Sequence, residues 1–386
     1  VNISSSTNPV HAGVISDGTN GAKIYGYELA VNGSYAYLSS YSSHALEIVD
    51  ISNPANPTHV STLNDGDNGA ALHRTRSVAY YNNTIYSSVT GSNRVEIIDV
   101  SSPASPTHIN QIDPSINLGG PRFVKIHNGL AYVTAGNSNA LQIVDISDKK
   151  HPSPRGSINL RYNGAKLYSP LGMDFRGNYA YIVSTSANFG FGALEIVDIS
   201  DPDNPVHVNS TVDGIYAGGV QNIKIVGNYG YITVSGRNTL EVIDIASNPT
   251  NPAHVGSISN GSGGASLTTP FGIDIVGNYA YVTTSNALEI INISSSTNPT
   301  HVSSLANGSG GALLSSAKYI NVIGSYAYIA CSGSNALEIV NISSSTNPVH
   351  AGSLANGSGG AKLGGAYGLK VSDGRAYVGS SVSNAL

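Results

Sequence analysis

The sequence predicts an all-β fold, an eight-bladed β-propeller built from four-stranded antiparallel blades. A phrase of the form L-E-I-V-D/N-I-S recurs along the whole chain with a period of about 48 residues. Each repeat also contains short β-type runs that are separated by turn residues, and this combination is typical of propeller blades. The Asp or Asn of the phrase occupies eight positions: Asn2, Asp50, Asp99, Asp145, Asp198, Asp244, Asn292 and Asn341.

One repeat, residues 270–306, shows how each strand is predicted. The run PFGIDIV alternates apolar and polar residues and predicts the first strand, and Gly277 with Asn278 predicts a hairpin turn into the second strand, YAYVTT. Ser285 and Asn286 turn the chain into the third strand, ALEIINIS, and a Pro-terminated loop leads to the fourth, THVSSL. The glycines of NGSGG then give the backbone the freedom to cross to the next blade.

The whole chain, residues 1–386, is predicted to form one domain, because a single repeat cannot bury its own faces and must stack on its neighbours. Residues 1–13 are identical to residues 340–352, and the last four residues match Ser334 to Leu337. We therefore expect the closing blade to be shared by the two ends, and we expect the chain to be part of a longer protein. An insertion at residues 186–192 lengthens one repeat.

These phrases resemble those of a known family. G-N-Y-A-Y-V followed by L-E-I-V-D-I-S-x-P-x-x-P, seen best at residues 46–60 and 194–208, is similar to the LVIVD-repeat β-propellers of bacterial and archaeal surface proteins. The resemblance covers the whole chain. It implies the propeller fold and a location outside the cell or on its envelope, and it supplies no catalytic residues.

Charged residues are few and nearly balanced, with 18 basic and 23 acidic residues and 11% charged in all. This composition gives no electrostatic surface for nucleic acid. No apolar run approaches the ~18 residues of a membrane span, so we expect no membrane insertion of this segment. Ser, Thr, Asn and Gly dominate the polar positions, as on many secreted proteins, and we expect an extracellular or cell-surface location.

Three sets of polar residues recur with the repeat, and we interpret each as structural. The Asp or Asn of the phrase exchanges between charged and neutral forms, which favours an Asx turn over catalysis. One Glu in each third strand is replaced once, by Gln142, which favours a structural pairing. A recurring His opens the fourth strand of different blades, whereas metal ligands must converge at ~2 Å, so we predict no shared metal site.

The innermost strands carry a further set of polar residues. Because innermost strands line the central channel of a propeller, we predict that this set lines it: Lys125, Asp174, Lys224, Asp274, Asn321 and Lys370. The alternation of Lys and Asp predicts either a ring of compensating ion pairs or a polar axial site for an ion or small ligand. Arg76 and Arg122, near one end of the same strands, are candidates to contribute.

Two kinds of loop residue are also candidates for binding or modification. Asp65 and Asp67 lie close together in DGDNG and form a candidate calcium site, although other blades use NGSGG there and the turn itself requires no metal. No other cofactor is predicted. N-x-S/T sequons in exposed loops make Asn260, Asn307 and Asn356 candidates for N-glycosylation.

These observations favour a non-enzymatic function, that of a structural or adhesive module of a cell-surface protein, such as a repeating unit of a surface fibre or sheath. The expected partners are other surface-protein domains, copies of the same chain, or glycans. Two alternatives stay open. A carbohydrate-binding propeller would use aromatic platforms between blades, which the 23 Tyr residues could supply. An enzyme would carry its site on the axis.

Overall fold

A computed structural model describes residues 1–112, 117–185, 192–211, 214–216, 218–246 and 250–386. Residues 186–191 of the predicted insertion lie outside the described residues. Within the described ranges the chain forms seven four-stranded antiparallel sheets, one two-stranded sheet and short 3-10 turns. In that part of the chain, no helix has the length and apolar character that are needed to cross a membrane.

Each four-stranded sheet is one blade, and its strands follow chain order from the inner to the outer edge. The strands of blades 1 to 4 are β1 (Gly26–Asn32), β2 (Tyr35–Ser40), β3 (Ala45–Asp50), β4 (Thr58–Asn64), β5 (Thr75–Tyr81), β6 (Thr84–Val89), β7 (Arg94–Asp99), β8 (Thr107–Ile112), β9 (Pro121–His127), β10 (Leu130–Ala135), β11 (Ala140–Asp145), β12 (Ser153–Asn159), β13 (Pro170–Arg176), β14 (Tyr179–Thr185), β15 (Gly192–Asp198) and β16 (Val206–Thr211). Those of blades 5 to 7 are β17 (Val220–Val226), β18 (Tyr229–Val234), β19 (Thr239–Asp244), β20 (Ala253–Ser259), β21 (Ile273–Val276), β22 (Tyr279–Thr283), β23 (Ala287–Asn292), β24 (Thr300–Ala306), β25 (Ala317–Ile323), β26 (Tyr326–Cys331), β27 (Ala336–Asn341) and β28 (Val349–Ala355). The two-stranded sheet consists of β29 (Ala366–Ser372) and β30 (Arg375–Ser380).

The prediction of eight four-stranded blades is wrong in number, because the described residues form seven. The eighth repeat contributes only the two-stranded sheet, since the sequence of its third strand is split between the two ends of the chain. The amino group of Val1 donates to the Ala376 carbonyl at 2.9 Å, and the Ala376 N–H donates to the Val1 carbonyl at 3.0 Å. Asn2 and Ala385 add isolated bridges beside β30. These residues lie where a third strand would run, but they form no continuous strand.

The blades stand in a ring and bury their faces against one another. Each apolar core joins two neighbours; Ile48 of blade 1, for example, packs in one cluster with Ile85 and Ile98 of blade 2. Further clusters join the β29–β30 sheet to blade 7 on one side and to blade 1 on the other. The inner strand β1 contacts both β29 and β5, so the ring of inner strands around the axis is closed.

Buried hydroxyl groups on second strands bond five of the blades to the inner strand of the next blade. They donate to backbone carbonyls across the blade boundary at 2.9–3.3 Å: Ser39 to Arg76, Ser88 to Arg122, Thr134 to Leu171, Thr233 to Phe271 and Thr283 to Lys318. A buried hydroxyl without a partner would be destabilising, so these positions hold the inner strands at fixed distances.

Crossover loops between the blades contain a 3-10 turn. The seven turns are Thr19–Gly21, Asp67–Gly69, Tyr162–Gly164, Gly214–Tyr216, Ser262–Gly264, Ser309–Gly311 and Ser358–Gly360. In six of these loops the residue before the turn adopts a left-handed conformation, and in five of the six it is glycine: Gly18, Gly66, Gly261, Gly308 and Gly357. The loop of Tyr162–Gly164 instead has Arg161, with φ of 71°. Arg161 is therefore strained at a position where those five loops have glycine.

We expect Arg161→Gly to raise the free energy of unfolding by roughly 0.5–1 kcal/mol, because relief of the left-handed strain outweighs the chain entropy that glycine loses on folding. Urea denaturation measures the change. Arg161→Ala is the matched control, since it shortens the side chain and keeps the strain. An equal gain in both variants would contradict the conformational explanation.

Candidate functional site

The repeated Asp and Asn residues form Asx turns, as the sequence predicts. In all eight copies the side-chain Oδ1 accepts a hydrogen bond from the backbone N–H two residues later, at 2.7–2.9 Å. Asn292 and Asn341 make the same bond as Asp50 and Asp198. The position therefore requires an acceptor and not a charge.

The Glu of each third strand makes a structural pairing, again as predicted. Six Glu side chains, all nearly or fully buried, lie 2.5–2.8 Å from a His nitrogen in the same blade: Glu47–His59, Glu96–His108, Glu195–His207, Glu241–His254, Glu289–His301 and Glu338–His350. Glu289 also accepts the backbone N–H of Ser266 at 2.8 Å. Burial raises the pKa of Glu289 although the bonds from Ser266 and His301 oppose the shift. In blade 3, Gln142 donates to backbone carbonyls instead.

The histidines lie in separate blades. Across the described ranges, no group of three or more His, Cys, Asp or Glu residues is placed to hold a metal ion. Asp65 Oδ1 accepts the Leu72 N–H at 2.7 Å, and Asp67 Oδ2 accepts two hydrogen bonds from Asn64, which lower the pKa of Asp67. Both carboxylates of the candidate calcium loop thus make bonds within the loop, and calcium binding there stays a prediction.

The glycosylation candidates occupy the position equivalent to Asp65 in other crossover loops. Asn260, Asn307 and Asn356 are exposed, and each Oδ1 accepts a backbone N–H seven residues later at 2.7–2.8 Å. This bond closes the loop whether the residue is Asp or Asn. Modification of these residues stays a prediction.

The charged residues predicted on the axis link consecutive inner strands. Lys125 Nζ lies 3.4 Å from Asp174 Oδ1, and Lys224 Nζ lies 3.5 Å from Asp274 Oδ1. The other carboxylate oxygens accept backbone N–H groups of the next blade at 2.9 Å, from Ile225 on Asp174 and from Val322 on Asp274. Asn321 donates to the Ile320 carbonyl, and Lys370 is exposed on β29. Lys125 with Asp174 and Lys224 with Asp274 thus form two ion pairs between consecutive inner strands. A compensating ring around the whole axis stays a prediction.

A second group of inner-strand residues, which does not repeat, encloses a cavity on the axis. The cavity has a volume of about 320 Å³ and is lined by residues from all eight units of the ring. Most of these residues lie two or three positions before Lys125, Asp174 and the equivalent residues of the other inner strands. They differ from blade to blade, and they include Glu28, Arg76, Lys125, Phe271, Lys318, Tyr319 and Tyr367.

One side of this axial cavity is aromatic. The rings of Phe271 and Tyr319 are 6.5 Å apart and those of Tyr319 and Tyr367 are 5.3 Å apart, both in edge-to-face geometry. Lys318 Nζ lies 4.3 Å from the centre of the Phe271 ring, which is a cation–π contact. Burial lowers the pKa of Lys318.

The other side of the cavity carries a carboxyl group with an unusual pKa. Glu28 is half-buried at the cavity wall. Burial raises its pKa to about 7, although hydrogen bonds from Ser77 and the Val78 backbone and the charges of Arg76 and Lys125 oppose the shift. Near neutral pH this group therefore exists in both protonation states.

Most residues of this cavity were not predicted from the sequence. Arg76 and Lys125 were predicted at the axis, but Glu28, Lys318 and the aromatic residues were not, because the prediction rested on positions that repeat. The positions that do not repeat were the available signal. The positions two and three residues before Asp274 and its equivalents each hold six residue types among the eight units, within an otherwise repetitive chain.

The closed ring of antiparallel sheets defines a β-propeller. The chain belongs to the LVIVD-repeat family: the LVIVD repeat profile matches seven segments, residues 26–65, 74–113, 119–159, 174–213, 217–260, 271–306 and 315–355. These seven segments correspond to the seven four-stranded blades. A comparison with curated protein sequences finds no significant match.

Solved structures share the fold at low sequence identity. Sqt1 of Saccharomyces cerevisiae superposes with a TM-score of 0.71 at 7% identity, with 96% of each chain covered. The computationally designed Ika8 protein gives a TM-score of 0.69 at 9% identity, covering 94% of this chain and 95% of that one. Hydrazine synthase of Kuenenia stuttgartiensis gives a TM-score of 0.56 at 14% identity, covering 87% of this chain and 99% of that one. At these identities the likeness shows the fold alone.

The buried pair of Glu289 and His301 provides a test of the structural interpretation. We expect His301→Ala to lower the free energy of unfolding by roughly 2–4 kcal/mol, because it leaves a buried carboxyl without its histidine partner. The double variant Glu289→Gln/His301→Ala should lose less free energy of unfolding than His301→Ala alone. Blade 3 already has Gln142 and no His at the equivalent positions. Denaturant unfolding of these two variants and of the single variant Glu289→Gln measures the coupling.

A control for this cycle is His151→Ala, which breaks the exposed contact to Asp148. It should change the free energy of unfolding by at most about 0.5 kcal/mol. If the double variant lost as much free energy of unfolding as the two single variants together, the result would contradict the pairing.

Glu28 predicts a pH dependence of stability. Its folded pKa of about 7 exceeds the ordinary value of 4.5, so the folded state binds this proton more tightly than the unfolded state. The resulting stabilisation is complete below pH 4.5 and is lost as the pH rises through about 7. We expect Glu28→Gln to remove this part of the dependence. The urea midpoints of the wild-type protein and of Glu28→Gln between pH 4.5 and 8 measure this pH dependence. Parallel curves of midpoint against pH would show that Glu28 does not cause it.

Proposed function

We propose that this chain is a non-enzymatic structural or adhesive module of a protein that acts outside the cell or on the cell surface. The main support is the use of the repeated polar residues. Every repeated Asp or Asn closes an Asx turn, and six repeated Glu residues pair with a His of their own blade. These repeated polar residues thus stabilise the ring itself. The polar loops between strands remain to contact partners.

One end of the ring also presents an apolar surface. Val226, Val276 and Ile323 end the consecutive inner strands β17, β21 and β25, and they are 39%, 45% and 49% exposed. Neighbouring exposed apolar side chains are typical of contact surfaces between proteins. This end-face patch supports contact with another surface-protein domain or with a copy of the same chain.

Carbohydrate binding at equivalent sites between blades has less support. The second Tyr of the Tyr-Ala-Tyr phrase packs inside the cores, and Tyr37 and Tyr181 are 2% and 0% exposed. These rings offer no platform to a sugar. The half-buried aromatic rings of the axis belong to a single, non-repeating site. Glycans as partners of the module remain a proposal, for which a glycan array is the direct measurement.

An enzyme with its site at the axial aspartates is also less well supported. Both carboxylate oxygens of Asp174 and Asp274 are occupied by lysine and backbone partners. These side chains act as links between blades.

The module function predicts binding to the cell envelope through the end-face patch. We expect the labelled chain to bind isolated envelopes of the source organism, and the triple variant Val226→Ser/Val276→Ser/Ile323→Ser to bind several-fold less. The matched control is Val10→Ser/Val206→Ser/Val349→Ser, which replaces three side chains of similar exposure: two on the outer strands β16 and β28, and Val10 at an isolated bridge to Asn2. Immunogold labelling of intact cells should place the protein outside. Label that appears only after permeabilisation would contradict the proposal, and equal binding by both triple variants would exclude this patch.

A further inference from the structure

We propose that the axial cavity binds a small organic anion with a ring-shaped body. This inference goes beyond the surface-module function, because it assigns a ligand site to residues that the repeat does not share. The cavity volume of about 320 Å³ lies at the lower end of the range for small-molecule sites.

The charges that line the cavity favour an anion. Among the described side chains of its wall, Arg76, Lys125 and Lys318 are basic and Glu28 is acidic. Lys125 also lies 3.4 Å from Asp174, which neutralises part of its charge. Arg76 and Lys318 lie on opposite sides of Glu28 around the ring, on β5 and β25. In an enclosed site these charges are poorly screened and attract a carboxylate or a similar group.

The aromatic side of the wall favours a ring. Phe271, Tyr319 and Tyr367 follow one another around the axis in edge-to-face contact. Leu171 and Met173 add apolar surface elsewhere on the wall. A flat ring covers such a surface well, by stacking or by edge contact. Lys318 lies at one end of this aromatic arc, so one ligand can contact the rings with its body and the ammonium group with its charge.

The frame beneath these residues is rigid. The backbone carbonyls of Arg76, Phe271 and Lys318 accept hydrogen bonds from Ser39, Thr233 and Thr283 of the preceding blades. The cavity side chains therefore project from fixed positions, as a preorganised binding site requires. The backbone frame and its hydrogen bonds repeat between blades, whereas the side chains that face the cavity vary. This combination distinguishes a ligand site from a packed core.

Binding should be linked to a proton on Glu28. When protonated, Glu28 carries no negative charge to oppose the basic residues of the cavity, and when ionised it repels an anion. Arg76 and Lys125 face this carboxyl, and Ser77 and the Val78 backbone donate to it. The affinity for the anion should therefore fall as the pH rises from 5.5 to 8.5, on either side of the pKa of about 7.

Isothermal titration calorimetry with two acids and their neutral analogues tests the proposal. The probes are 4-hydroxybenzoate with 4-hydroxybenzamide, and D-glucuronate with D-glucose, each at pH 6. We expect at least one acid to bind, and its neutral analogue to bind at least about tenfold more weakly. Binding of the benzoate would identify an aromatic ring, and binding of the glucuronate a sugar ring. Failure of both acids at millimolar concentration, or equal binding of an acid and its neutral analogue, would overturn the proposal.

Variants then assign the binding to the cavity. Lys318→Met should weaken binding at least about tenfold. Lys370→Met should leave it unchanged, because Lys370 lies on the inner strand β29 but outside the wall of this cavity. Equal losses in both variants would overturn the assignment. Glu28→Gln should bind with an affinity that no longer changes between pH 5.5 and 8.5, and an unchanged pH dependence would overturn the role of Glu28. The neutral-analogue comparison needs no variant and decides the charge requirement even if Lys318→Met fails to fold.

Discussion

Each blade of this propeller depends on its neighbours to cover both faces of its sheet. A four-stranded sheet has two apolar faces here, as Ile48 and Val49 on adjacent positions of β3 show: each packs into a different cluster, on opposite sides of blade 1. The hydrophobic stabilisation of any blade is therefore shared with the next blade around the ring. The same condition requires that the ring be closed, since an open ring would expose two such faces and an unpaired edge.

This dependence separates two classes of residue. Residues that maintain contact within and between blades must repeat, because every boundary in the ring is similar. The Asx turns, the Glu–His pairs and the buried hydroxyls belong to this class. At the axis the inner strands face a common space rather than a neighbour, so their side chains are free to differ. Glu28, Phe271 and Lys318 differ there, and they surround the one described cavity that draws on every unit of the ring.

Much of the architecture was predictable because it depends on local sequence. Alternating strands, glycine turns and the Asp or Asn of the third strand lead directly to a propeller with Asx turns. The number of four-stranded blades was not predictable in this way, because a count of the repeated phrase treats Asn2 as equal to Asp50. Asn2 contributes only an isolated bridge beside β30, whereas Asp50 ends a continuous strand. The cavity was missed for a related reason: its wall comes from single residues of eight units, which become neighbours only when the ring closes.

The closure of the ring is the central claim, and hydrogen–deuterium exchange tests it most directly. The amide of Ala376 donates to the Val1 carbonyl, and the amide of Ile3 donates to the Gly374 carbonyl. If these bonds close the ring, both amides should exchange as slowly as those of β2 and β3, which make the corresponding contact within blade 1. Rapid exchange at Ala376 and Ile3, with slow exchange in β2 and β3, would mean that the ring is open at this point and would contradict the account.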